Sequence, residues 1–152
     1  MTETDPPPLA SQRVKHVTGE NLLQPGGQRL GVEKIALAEA FDSITEHWSP
    51  HLAGAVNDHA IKLAKTSGEF VWHQHNNTDE LFLVQSGTLR LEFRERENVT
   101  LTAGEFIVVP QGTEHRPVAE PEAELLLVEP AETVNTGDTQ SEQTQEELQR
   151  LE

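Results

Sequence analysis

Between His51 and Glu129 apolar and polar residues alternate in short runs, the period-two pattern of strands with one buried face. The clearest is Thr88–Glu95, where Leu89, Leu91 and Phe93 interleave with Arg90, Glu92 and Arg94. That strand has one apolar and one wet face. Further strand-like runs cover 51–56, 59–66, 68–75, 79–85, 97–102, 104–109, 114–118 and 123–129. Turn-forming pairs separate many of them: Asn57-Asp58, Ser67-Gly68, Asn76-Asn77, Ser86-Gly87, Ala103-Gly104 and Gln111-Gly112. Many short strands at even spacing predict an all-β sandwich or barrel.

Ahead of the strands the period changes. Leu37, Phe41, Ile44 and Trp48 fall at spacings of four, three and four, which predicts an amphipathic helix over 32–48 ending at Ser49-Pro50. Residues 1–30 carry Pro6-Pro7-Pro8 and Gly26-Gly27 with few large apolar residues, and predict a mostly flexible arm. Residues 131–152 read as a polar, acidic, disordered tail in which 141–151 could form a short helix. The folded domain is therefore 31–130. Within 80–84 both parities are apolar, so both faces are covered. If Glu80 points inward, Phe82 and Val84 follow it. Leu81, Leu83, Phe70 and Trp72 then face outward and need cover from the helix, from a partner subunit, or both. A homodimer is the simplest arrangement that supplies it.

Composition narrows the class. The chain has 152 residues, enough for one domain with a hydrophobic core. No apolar stretch has membrane-spanning length and no signal-like segment opens the chain. Cysteine is absent, which makes a reducing cytoplasm the expected compartment. The formal net charge of −15 argues against nucleic acid and anionic membranes as partners, because both need clustered Lys and Arg. Tyrosine is absent too. Neither a phenol base nor thiol chemistry is available.

The chemistry concentrates in four residues. His73 and His75 lie two apart in the extended run 68–75, so both imidazoles point to one face. Glu80 opens the next strand, and His115 follows the turn Pro110-Gln111-Gly112. Three imidazoles and a carboxylate suit divalent metals from the middle and end of the first transition row. A lone strand histidine is commonly structural, and His16, His47 and His51 have no such partners. His59 shares strand parity with Ile61 and Leu63, both expected inward, and is a candidate proton-transfer residue together with Glu80. Arg116 is expected outside, paired with acidic neighbours, and Asp79 and Glu114 are expected to be solvated.

Gly68, His73, His75, Glu80 and Gly87 together resemble the first conserved motif of the cupin superfamily. Gly104, Pro110, Gly112 and His115 resemble the second. Two departures stand out: four residues, not five, separate Gly68 from His73, and Ala119 replaces a polar Asn usual in the family. The resemblance implies a cupin-type antiparallel β-barrel, jelly-roll-like, with the helix packed outside. It also implies one divalent metal ion per chain (Fe, Mn, Ni, Co or Zn) held by His73, His75, Glu80 and His115. Four ligands on an octahedral ion leave two positions for a chelating substrate, or for one substrate oxygen beside O₂ or water.

The expected interior is otherwise apolar: Val71, Phe82, Val84, Leu89, Leu91 and Phe93, with either Phe106/Val108 or Ile107/Val109. Such a pocket suits a small, partly apolar chelator. Three functions fit. The first is a metal-dependent oxygenase-type enzyme, a dioxygenase in the simplest case. The second is a Lewis-acid isomerase or lyase acting on a sugar or hydroxy acid, as mannose-6-phosphate isomerases do. The expected scarcity of inward cations counts against it. The third is a non-catalytic metal or small-molecule binder.

Overall fold

The computed structural model describes residues 15–17, 32–145 and 148–151. Its elements are β1 (Lys15–Val17), α1 (Leu37–Asp42), β2 (His51–Val56), β3 (His59–Glu69), β4 (Glu80–Phe93), β5 (Val99–Thr102), β6 (Phe106–Val109), β7 (His115–Pro130) and β8 (Leu148–Arg150). The strands run in the order β1-β8-β2-β3-β7-β4-β5, with β6 also on β4. Every pairing is antiparallel except β2 with β8.

Asn57-Asp58 turns β2 into β3 as expected, with Asn57 in the left-handed region at φ 54°. Ser86-Gly87 behaves differently. β4 runs through it, and the register against β7 shifts on both sides. Gly87 has φ 81°, and a Cβ there would overlap the Glu122 carbonyl oxygen. The expected break is a bulge, which bends a strand without ending it. The runs 114–118 and 123–129 likewise merge into one strand, β7.

These bends close the barrel. The first half of β4 pairs with β6 and the end of β7, and its second half with β5 and the start of β7. Both halves contribute to one core, which includes Phe82, Val84, Leu89, Leu91, Leu125 and Leu127. Ile107 and Val109 face this core, whereas Phe106 and Val108 are exposed. Val71, expected inside, is half-buried.

The helix is shorter than its apolar stripe predicts. It stops at Asp42, where the Ser43 hydroxyl donates back to the Ala40 carbonyl and β-branched Ile44 and Thr45 follow. The stripe nevertheless buries as expected. Phe41 and Ile44 pack on Leu63 and Leu126, on the outer face of the sheet. Trp48, at φ 58°, stacks on Phe70 with ring centres 4.6 Å apart. No helix among the described residues is long and apolar enough to cross a membrane.

Three expectations need correction. In β3 the inward residues are Ala60, Lys62, Ala64 and Thr66, whereas Ile61 and Leu63 line the outer side toward α1. The helix needs an apolar partner there, so the large apolar residues turn outward, and Ala60, Ala64 and Thr66 flank Lys62 inside. Phe70 is buried rather than outward, because it continues the inward parity of Lys62, Ala64 and Thr66, and the phase changes only between Phe70, bonded to the Pro117 carbonyl, and His73, bonded to His115. Residues 131–145 do not trail away. They fold back along the barrel, with Lys62 Nζ on the Thr133 carbonyl and Asp138 on Gln74. Residues 148–150, inside the stretch expected as a helix, form strand β8. The arm 1–30 lies outside the described residues apart from β1.

Candidate metal centre

The run 68–75 is not a ladder strand beyond Glu69, yet it is extended and hydrogen-bonded on both sides. His73 exchanges backbone hydrogen bonds with His115 at 3.0 and 2.9 Å, and the His75 carbonyl accepts from Gly112 N at 2.7 Å. The intervening Gln74 is bonded the other way. Its N–H donates to Asp138 Oδ1 at 3.0 Å, and its carbonyl accepts from Asp138 N at 3.1 Å. Thr139 Oγ1 adds a bond to the Trp72 carbonyl. Alternating partners impose a strand's alternation of side chains without a continuous ladder. His73 and His75 therefore both enter the barrel.

His73, His75, Glu80 and His115 meet there. One ligand atom from each lies within 4.8 Å of the others, and all four residues are buried. Glu80 Oε1 is 3.5 Å from His75 Nε2 and 3.6 Å from His115 Nε2. The Nδ1 atoms of His73 and His115 donate to the carbonyls of Val71 and Thr113 at 2.9 and 2.8 Å. That tautomer leaves each Nε2 with a free lone pair for the centre. Phe82 sets its ring edge-on to His115, and Phe70 does the same to His73.

The electrostatics favour a cation. Burial, with the neighbouring His115 next in weight, lowers the His73 pKa to about 4, so the ring is neutral near pH 7. Burial opposes charge on Glu80, but the neighbouring Glu129, His115 and His75 side chains outweigh it and hold this carboxyl well below the ordinary range. An ionised carboxylate thus faces three imidazoles. His75 Nε2, Glu80 Oε1 and His115 Nε2 are buried without any hydrogen-bond partner. Unsatisfied buried polar atoms are costly, and three converging on one point fit a metal ion that would satisfy all of them.

Other residues lie elsewhere. His59 is exposed on the outer parity of β3, with Nδ1 2.8 Å from Asp58 Oδ1, and cannot reach the centre from there. His47 is exposed near Glu122, and His51 is buried with Nδ1 on the Ser49 carbonyl. The side chain of His16 lies outside the described residues. Asp79 accepts from Gln111 N and Glu114 pairs with Arg94, both at the surface. Arg116 lies outside with Glu92 and Glu69, as expected.

Two residues at the centre escaped the sequence reading. Glu129, on β7, lines the same cavity as Glu80, and Lys62, on β3, donates to Glu129 Oε1 at 2.7 Å; both are fully buried. Parity with Leu125 and Leu127 marks Glu129 as inward, but Leu125-Leu126-Leu127-Val128 is apolar on both parities and hides the phase.

An antiparallel barrel closed around a buried three-histidine, one-glutamate cluster defines a class: small β-barrel proteins whose interior can hold a metal ion. The chain belongs to the cupin superfamily, and the cupin domain profile matches residues 61–129. A cupin-2 domain protein from Shewanella frigidimarina is 46% identical, with a TM-score of 0.61, over 63% of this chain and 93% of that one. NMB1881 from Neisseria meningitidis is 30% identical, with a TM-score of 0.60, over 64% of this chain and 99% of that one. The uncharacterized protein YdbB of Bacillus subtilis is 44% identical over 61 residues, 40% of this chain. The match spans about half (54%) of that relative's length.

Proposed function

We propose that this protein is a metal-binding cupin that carries one divalent ion on His73, His75, Glu80 and His115. In this reading it acts as an oxygenase-type enzyme on a small, partly apolar, metal-chelating substrate. The observation that carries the reading is the set of three orphaned ligand atoms in a buried site. Bound there, a redox-active ion such as iron would supply Lewis acidity and one-electron chemistry.

The chain's own residues do the rest. His73 and Glu80 form the polar end of a cavity whose walls include Phe70, Phe82, Leu125 and Leu127. The cavity offers only about 40 Å³. It therefore suits only a compact ligand. His75 instead borders a surface cleft of about 330 Å³ between 74–78 and 130–138, a second approach to the same cluster. A Lewis-acid reaction on a phosphorylated sugar is the weaker reading, since no Arg or Lys lines the cavity and Lys62 is bonded to Glu129 and Thr133. We also propose a homodimer through the outer face of β6 and β4. Phe106 and Val108 are exposed there opposite half-buried Leu83 and Leu81.

The test is metal content by plasma mass spectrometry on protein purified without oxygen and without a nickel column. His75→Ala should lose most of the metal, whereas His47→Ala should keep it. Equal loss from both would sink the site. About one equivalent of iron, with O₂ uptake in the presence of a diketone or catechol, supports the oxygenase reading. Zinc, nickel or manganese without O₂ uptake turns it toward Lewis-acid chemistry or simple binding.

A further inference from the structure

The metal ligands leave one buried carboxyl oxygen unexplained. Lys62 Nζ donates to Glu129 Oε1 at 2.7 Å and to the Thr133 carbonyl at 3.2 Å, and the Lys62 and Glu129 side chains are each 1% exposed. The second oxygen, Glu129 Oε2, is buried without a hydrogen-bond partner. Leaving such an atom unpaired is costly. A buried ion pair also adds little to stability over apolar residues of equal volume. Folding alone therefore does not explain Glu129.

Its surroundings point to a ligand. Glu129 lines the apolar cavity that has His73 and Glu80 at its polar end. The other polar side chains of that wall are already bonded to the chain. Trp48 Nε1 donates to the Ser67 carbonyl and Thr66 Oγ1 to the Ala123 carbonyl, while Asn135 donates to the Gln143 carbonyl and accepts from Gln145 N. Apart from the metal ligands, Glu129 Oε2 is thus the one unpaired side-chain oxygen or nitrogen among the described residues of the wall. Strand register sets it beside the metal centre. The β4–β7 ladder pairs Leu81 with Val128 and Phe82 with Leu127. One step further along, Glu80 stands opposite Glu129, and both share the buried face of Phe82 and Leu127. Residues so opposed have Cβ atoms roughly 5 Å apart. A ligand on the metal therefore reaches Glu129 with a group close to its chelating atoms.

Resting on the metal-dependent function proposed above, we infer that Glu129 is a ligand-recognition residue whose Oε2 binds a hydroxyl group carried by the compact chelator. A hydroxyl suits this oxygen in either form of the acid, donating to a carboxylate or accepting from a protonated carboxyl. A methyl in the same place leaves Oε2 buried and unpaired. The substrate class narrows from a partly apolar chelator to a hydroxylated one, and Lys62 holds Glu129 in place to receive it.

The experiment uses full-length protein saturated with Co(II) and titrated by calorimetry with two small hydroxamates. Glycolohydroxamate and propanohydroxamate share the chelating group and differ only in a hydroxyl against a methyl of similar size. The readout is the ratio of the two affinities, so effects common to both ligands cancel. The parent should bind glycolohydroxamate about 10- to 100-fold more tightly, the range of a buried hydrogen bond to a charged group. The double variant Lys62→Met/Glu129→Leu replaces the pair by apolar groups of similar volume. It should melt cooperatively and bind the two ligands within about threefold of each other, or prefer the methyl. Glu129→Gln offers its carbonyl to Lys62 and its N–H to the ligand, and should keep a preference for the hydroxyl of at least about threefold. Equal affinities in the parent overturn the inference. So does the parental ratio in the folded double variant, or no preference in Glu129→Gln. The parent and Glu129→Gln decide the matter if the double variant fails to fold. Co(II) binding without binding of either hydroxamate overturns this inference and leaves the metal centre standing. Failure of the parent to bind Co(II) overturns the metal-centre reading itself, and this inference with it.

Discussion

Acidifying the metal-free protein should destabilise it through His73, by an amount the structure specifies. In the unfolded chain this imidazole takes up a proton near its ordinary pKa of 6.5, but in the folded barrel it does so only near about 4. Burial is the main cause, and His115 beside it adds to the effect. The sign follows from proton counting. Between those two values the unfolded state binds the proton and the folded state does not, so stability falls as pH falls. Above 6.5 both states are neutral at this site and nothing is lost. The interval, at about 1.4 kcal/mol for each tenfold change in proton concentration, amounts to about 3 kcal/mol by pH 4. Urea unfolding in excess chelator, followed by tryptophan fluorescence from pH 8 to 4, measures it. The carboxylates contribute their own pH dependence, so the comparison is with His73→Gln, which lacks the imidazole but keeps a polar side chain. The parent should lose about 3 kcal/mol more than the variant across this range. Parallel profiles for the two proteins would refute the argument that burial holds His73 neutral.

Two further outcomes are expected. Gly137 has φ 55°, and a Cβ there would overlap the Gln74 carbonyl oxygen and lie 3.2 Å from His73 Cδ2. Gly137→Ala should therefore cost about 1–3 kcal/mol in backbone strain and weaken Co(II) binding, as read by thermal melts and metal titration; parental values in both would show that 131–145 does not brace the histidines. Phe106→Lys with Val108→Lys should convert a dimer to monomers in sedimentation velocity while leaving metal content intact, and an unchanged sedimentation coefficient would reject the β6 face as the contact.

How much of this was legible in the sequence depends on the range of the interaction. Alternation in Leu89, Leu91 and Phe93 marked the inner face of β4 correctly, because a strand's period is a local property of the backbone. The spacing of His73 and His75, with Glu80 and His115 downstream, identified the residues that converge. The stripe Phe41, Ile44 found its apolar surface as expected.

What failed depended on contacts distant in the chain. Ser86-Gly87 and Gly68 could be turns or bulges, and only pairing with β7 decides which. Phe70 keeps the parity of Lys62, Ala64 and Thr66, and the phase reverses only between Phe70, bonded to Pro117, and His73, bonded to His115, so Phe70 and the two histidines all lie inside. His59 followed the wrong parity because local hydrophobicity cannot say whether the larger residues of β3 serve the barrel or the helix outside it. The acidic stretch 131–145 carries no strong period, and its hydrogen bonds to Gln74 and Trp72 exist only once the barrel has brought those residues alongside. Lys62 and Glu129 are 67 positions apart and each reads as a surface charge by itself. The sequence by itself determined the strands and the ligand set, because both rest on local spacing. Tertiary structure alone decided which face was inside and which charges met there, because burial and pairing belong to the closed barrel and to no single segment of it.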